Sequence, residues 1–186
     1  MRIALFGGSF NPPHVAHQLV ALYVLETQPV DELWFVPTHE HAFDKPLVAF
    51  QERLRLCELA AAALGPRVRV SDVEARIGGQ SRTLHTVRRL RTEHPTATFS
   101  VVVGADLVAE LDEWLGIDEL RRLVSFVIVG RFGCGQGVAD GVEMPAISST
   151  DVRAALRDGR DVSALVPRAV LDYIHSRGLY GFPRPT

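Results

Sequence analysis

The sequence lacks most of the features that would place it in several large functional classes. It has 2 cysteines in 186 residues, Cys57 and Cys134, far apart and in no CxxC pair. Neither a disulfide framework nor a thiolate metal site is expected, and a reducing, cytoplasmic setting is. No apolar run approaches the roughly 20 residues that span a bilayer, and Met1–Phe6 is too short for the apolar core of a secretory signal, so no membrane partner is expected. Charge of one sign is missing too: 20 Lys and Arg stand against 22 Asp and Glu, a net −2. That balance excludes a generally basic nucleic-acid surface but leaves room for a compact anion site. No GK[ST] follows a glycine-rich loop, which excludes a P-loop, and no GxGxxG occurs at the first turn, which argues against a hydride-transferring dinucleotide enzyme. His39 and His41 form an HxH pair without a third ligand, so no resident metal site is expected.

What is present describes an ordinary globular chain, 47% hydrophobic and 23% charged, and the length predicts one domain over 1–186. Brief apolar runs at 2–6, 32–36, 67–70, 98–103 and 125–129 read as strands buried on both faces. Between them, helical patterns cover 14–27, after Pro12-Pro13, then 50–64 and 83–94, with later helices at 150–157 and 167–176. The arginines among 82–91 read as a solvated helix face, and the glycines of 130–141 as a mobile loop. Alternation of strand and helix predicts an α/β fold, a Rossmann-like doubly wound parallel sheet, with ligands beyond the carboxyl ends of its strands.

The turn after the first strand carries the chemistry: Gly7-Gly8-Ser9-Phe10-Asn11-Pro12-Pro13-His14-Val15-Ala16-His17. Glycines there let backbone amides approach a phosphate, and a helix opening near His14 brings unpaired N–H groups and a partial positive charge. His14 and His17, three apart, share one helix face; each can donate to a phosphate oxygen, and a bound anion would favour the imidazolium. A second anion-binding pattern, Ile147-Ser148-Ser149-Thr150-Asp151-Val152-Arg153, reads as a helix start capped by Ser149 or Thr150, with Arg153 as a fixed charge suited to phosphate.

The first segment resembles the GGSFDPxHxGH motif of bacterial nicotinate-nucleotide adenylyltransferases, in the HxGH nucleotidylyltransferase superfamily, with Asn11 for the usual Asp and Ala16 for the Gly of HxGH. The second resembles that family's ISSTxIR motif. Ser81–Thr86 is similar to SYTxxT, with Arg82 for Tyr and His85 for the common Asp. Gly104-Ala105-Asp106 with Trp114 is similar to the G-[AS]-D…W segment, and Val166-Pro167 through Leu179-Tyr180 to the family's tail. Around 39–46 the family has P-P-H-K; here Lys45 and the downstream Arg53 match, while Ala42-Phe43-Asp44 stand in place of Pro-Pro-His.

The resemblance implies transfer of AMP from ATP to nicotinate mononucleotide, giving deamido-NAD and pyrophosphate, with Mg²⁺ bound to the ATP. It implies that Gly7, Gly8, Ser9, Phe10, His14, His17, Gly104, Asp106, Ile147, Ser148, Ser149, Thr150 and Arg153 bind ATP. Lys45, Thr83, Thr86, Trp114 and Arg131 are expected on the acceptor, and His14, His17, Lys45 and Arg153 as charge stabilisers. Nicotinamide mononucleotide or another phosphate acceptor, and a non-catalytic nucleotide sensor, remain as alternatives, and a homo-oligomer is compatible with the sequence.

Overall fold

The computed structural model describes residues 1–40, 47–132 and 142–182. The first strand, β1 (Arg2–Gly8), leads through helix α1 (Val15–Thr27) to β2 (Glu32–Pro37), and α2 (Phe50–Ala62) leads to β3 (Val68–Val70). Two helices, α3 (Val73–Ile77) and α4 (Thr83–Glu93), precede β4 (Thr98–Gly104). A 3-10 segment (Ala105–Glu113) and α5 (Ile117–Leu123) precede β5 (Ser125–Arg131), and β6 (Glu143–Met144) is followed by α6 (Ser149–Arg157), α7 (Arg168–Arg177) and a last 3-10 turn (Leu179–Gly181).

The strands form one sheet in the order β3-β2-β1-β4-β5-β6, with every pairing parallel. A period of two along each strand sends alternate side chains to opposite faces, and both faces are covered. Ala4, Leu33, Phe35, Val102 and Val129 pack against α1, α2, α6 and α7. Their neighbours Ile3, Leu5, Trp34, Val101 and Val103 pack against α3, α4 and α5. This is why the strands read as continuous apolar runs rather than alternating ones. Cys57 belongs to the first core and is fully buried; burial pushes its thiol well above the ordinary range, so it behaves as a small apolar side chain. Cys134 lies outside the described residues.

The chain leaves β1 toward one face and β4 toward the other, so the strand order reverses between them and a crevice opens at their carboxyl ends. Three short elements escape the sequence reading. α3 has 5 residues, α5 has 7 and β6 has 2, each below the length at which a periodicity becomes legible. The expected loop at 130–141 begins too early: Gly130 and Arg131 continue β5 and pair with Glu143 and Met144 of β6, because a parallel partner outweighs the glycine's weak strand preference. Residues 133–141 lie outside those described.

Candidate active site

The first turn is built around an aromatic wedge. A side chain at Gly8 would press on the Phe10 ring at 3.3 Å, so the glycine leaves that ring its place under the turn without a shift. Phe10 is buried and packs on Phe35 at 5.2 Å and on His17 at 4.9 Å. Asn11, also buried, accepts the Val48 N–H on Oδ1 at 3.3 Å, a role open to any side-chain carbonyl or carboxylate oxygen.

His14 is the extended residue that precedes α1, with φ −141° and ψ 173°. Its backbone N–H donates to Nδ1 of His17 at 3.0 Å, and the His17 N–H donates to the His14 carbonyl at 2.9 Å. This is a capping-box arrangement with an imidazole as the returning acceptor. The two rings stack with centroids 3.7 Å apart. An Nδ1 that accepts a main-chain N–H puts the ring proton on Nε2, so His17 presents an N–H donor on a ring held from below by Phe10.

The second segment meets the first directly. Ser149 Oγ donates to the Pro12 carbonyl at 2.8 Å, and Arg153 Nη1 donates to the Asn11 carbonyl at 2.8 Å. Arg153 Nη2 reaches Thr150 Oγ1 at 3.2 Å. The cap of α6 is Ser148, whose Oγ accepts the Asp151 N–H at 3.1 Å. The expected cap at Ser149 or Thr150 is thereby corrected: the helix starts one residue earlier, which frees the Ser149 hydroxyl for the first turn.

These segments border a cleft of about 710 Å³ at the carboxyl ends of β1 and β4. It is lined by Gly7, Gly8, Ser9, Phe10, His14, His17, Ile147, Ser148 and Ser149 on one side, and by Gly104, Asp106, Thr83, Thr86 and Trp114 on the other. A side chain at Gly104 would collide with the Asp106 carboxylate, so the glycine is needed for that acid to turn back on the strand end. Thr150 and Arg153 do not line the cleft; Arg153 stands behind the first turn and grips its carbonyl. Lys45 lies outside the described residues, and of Arg131 only the backbone, at the end of β5, is described.

Two residues that sequence reasoning left without a role sit at structural junctions. Arg53 on α2 is 1% exposed. Its guanidinium donates to the carbonyls of Val48 at 2.9 Å, Ser9 at 3.0 Å and His39 at 3.2 Å. Burial lowers its pKa, but an arginine stays charged in a protein, so those carbonyl dipoles carry its solvation. Glu74 on α3 lines the cleft. Burial pushes its carboxyl up, against hydrogen bonds from Ser81, the His39 N–H and Thr86 that pull it down. Only the Arg53 match gave a signal; a lone acid in a helix of 5 residues gives none.

Ala16, where the family motif has glycine, is buried and borders the cleft. Ala16→Gly should cost about 0.5–1 kcal/mol of helix stability while lowering KM for a nucleotide that approaches α1. A thermal melt with steady-state kinetics checks this; an unchanged KM would place that methyl off the nucleotide's path.

Residues 5–155 match the cytidylyltransferase-like family. A protein of Anaeromyxobacter dehalogenans (strain 2CP-1 / ATCC BAA-258) named "Probable nicotinate-nucleotide adenylyltransferase" is 45% identical over 181 residues, which cover 96% of each chain. One of the same name from Salinibacter ruber is 38% identical over 198 residues, with 100% of both chains covered. Among solved structures, a Plasmodium falciparum nicotinic acid mononucleotide adenylyltransferase complexed with NaAD superposes with a TM-score of 0.80 at 22% identity, covering 98% of each chain; that likeness speaks for the fold. With the motifs joined at one cleft and full-length relatives well above 30% identity, the chain belongs to the cytidylyltransferase-like family and, within it, to the nicotinate-nucleotide adenylyltransferases.

Proposed function

We infer that the protein joins nicotinate mononucleotide to the AMP portion of ATP. The 5′-phosphate oxygen of the mononucleotide forms a bond to the α-phosphorus of ATP. The bond from that phosphorus to the bridging oxygen breaks, and pyrophosphate leaves. A nucleotide phosphate is already ionised near neutral pH, so no general base is required, and the protein's task is alignment and charge stabilisation. Holding two reactants in line can contribute roughly 7–11 kcal/mol, and preorganised donors add to it.

One observation carries this reading: the bonds Ser149–Pro12 and Arg153–Asn11 lock the two anion-binding segments together, so His17 and the start of α6 border the same cleft. In this scheme His14 and His17 donate to the phosphates of ATP, and Ser148 and Ser149 bring the N-terminus of α6 to them. Gly104 and Asp106 receive the adenosine side, and Trp114, Thr83 and Thr86 the pyridine nucleotide. Arg153 acts from behind the turn, by fixing it and adding its field. Lys45 and Arg131 are assigned to phosphate contacts by resemblance.

Mg²⁺ is proposed to arrive with ATP and to neutralise part of the triphosphate charge. Among the described residues no group of three or more His, Cys, Asp or Glu could hold an ion. In this scheme the ion is ligated mainly by phosphate oxygens and water, the usual habit of Mg²⁺. No described helix is long and apolar enough to cross a membrane, and the reaction is assigned to the cytoplasm.

The test is product analysis. The protein is incubated with ATP, Mg²⁺ and either nicotinate mononucleotide or nicotinamide mononucleotide, and dinucleotide and pyrophosphate are measured. Dinucleotide from the nicotinate substrate, with much less from the amide, is expected. Preference for the amide would reassign the acceptor, and no pyrophosphate with either would indicate a nucleotide sensor.

A further inference from the structure

Glu74 is a carboxylate on the wall of a cleft built for anions, where an acid is an obstacle unless its charge is occupied. It is occupied. Oε2 accepts the His39 N–H at 3.1 Å and Oε1 accepts the Thr86 hydroxyl at 3.1 Å. The Ser81 hydroxyl oxygen accepts the same His39 N–H at 2.9 Å, and the Ser81 hydroxyl helps to hold the carboxyl's pKa down against burial. Those groups come from separate places: His39 follows β2, while Ser81 and Thr86 belong to the entry and first turns of α4. The same junction is pinned in the backbone by a bridge between Glu40 and Gln80 and by the Ser81 N–H on the Glu40 carbonyl at 3.0 Å.

The backbone bridge holds the strand-end loop near α4, but it lies at Glu40 and Gln80, which do not line the cleft. Ser81, Thr83 and Thr86 do. Among the described residues, the Glu74 carboxylate is the side chain of α3 that reaches both the loop and the helix face bordering the ligand space. The Thr86 proton is engaged by Glu74 Oε1 at 3.1 Å or by the Arg82 carbonyl at 3.3 Å, so Thr86 offers lone pairs and its methyl to that space.

We propose that Glu74 is the positioning residue of the acceptor side of the cleft: its carboxylate ties the loop after β2 to the start of α4 and thereby sets where the mononucleotide ring binds. This rests on the assignment of Thr83, Thr86 and Trp114 to the acceptor, made above. ATP, received by the first turn and α6, does not depend on that tie.

The test is Glu74→Gln in the full chain, which keeps the shape but turns one acceptor oxygen into a donor facing a donor. KM for nicotinate mononucleotide should rise about tenfold or more, the scale of one buried bond unmade, while KM for ATP stays within about twofold. Hydrogen exchange at the His39 amide should quicken about tenfold on the same basis. An unchanged acceptor KM overturns the proposal, and so does a parallel rise in both KM values with a lowered melting temperature, the mark of general loosening. If the unaltered protein makes no dinucleotide, the functional reading fails by itself. The tie is then judged on hydrogen exchange alone, where an unchanged His39 rate refutes it. Should Glu74→Gln fail to fold, Ser81→Ala, which removes the hydroxyl that shares the His39 N–H with Glu74, must give the same acceptor-specific rise on a smaller scale, and a rise in KM for ATP instead would overturn it.

Discussion

His17→Ala should lower kcat about 10²–10³-fold, the loss typical of removing one preorganised donor from a charge-developing transition state, with little change in the unfolding midpoint. The argument is geometric. The His14 N–H already occupies Nδ1 of His17, so the only edge of the ring that can serve a phosphate is Nε2–H. That donor sits on a ring packed against Phe10 and Phe6 and stacked on His14, so little reorganisation is needed as charge builds on the phosphorus. The substitution removes some packing from a partly exposed ring, hence a small stability cost beside a large kinetic one. His17→Asn keeps a side-chain oxygen for the His14 N–H but not a donor at the Nε2 position, and should restore the melting temperature without restoring turnover. A His17→Ala protein with near-normal kcat would remove this residue from the mechanism.

The second large effect is on stability and falls at Arg53. Arg53→Met fills much of the same space with apolar atoms but leaves the carbonyls of Val48, Ser9 and His39 without their donor. An orphaned buried polar group costs about 1–3 kcal/mol, so a loss of roughly 3–5 kcal/mol in unfolding free energy is expected, measured by urea denaturation. Removing the buried charge offsets part of that cost, since no carboxylate among the described residues lies within ion-pair distance of the guanidinium. Arg53→Lys keeps the charge but cannot reproduce the planar fork, and should fall between the two. Both variants loosen Ser9, so KM for ATP should rise with the instability. An Arg53→Met protein as stable as the parent would show that water replaces the guanidinium at no cost.

Much of the site was legible because each motif reports a local conformation. Gly8, Ser9 and His14 to His17 encode a turn and a helix start, and Ser148 to Arg153 encode another helix start; such short-range geometry is set by neighbours in sequence. The role of Arg153 was not legible in the same way. Its position in the first turn of α6 suggested a cation aimed at ligand, whereas the structure turns it to the Asn11 carbonyl, a partner 142 residues away. The same holds for Ser149, expected as a cap and found on Pro12. Glu74 shows the limit most clearly: nothing near it in sequence distinguishes it from a solvated acid, and its partners, the His39 N–H and the Thr86 hydroxyl, come from the loop after β2 and from α4.

By itself the sequence determined the alternating strands and helices, the parallel doubly wound sheet, and which two segments open helices at the cleft, because apolar periodicity and cap residues act over a few positions. The tertiary structure alone decided which hydroxyl caps α6, that the two segments are bonded face to face, and that Arg53 and Glu74 brace the loops around the cleft. Those outcomes depend on which buried carbonyls and carboxylates need a partner once the helices close over the sheet, a requirement that exists only in the folded chain.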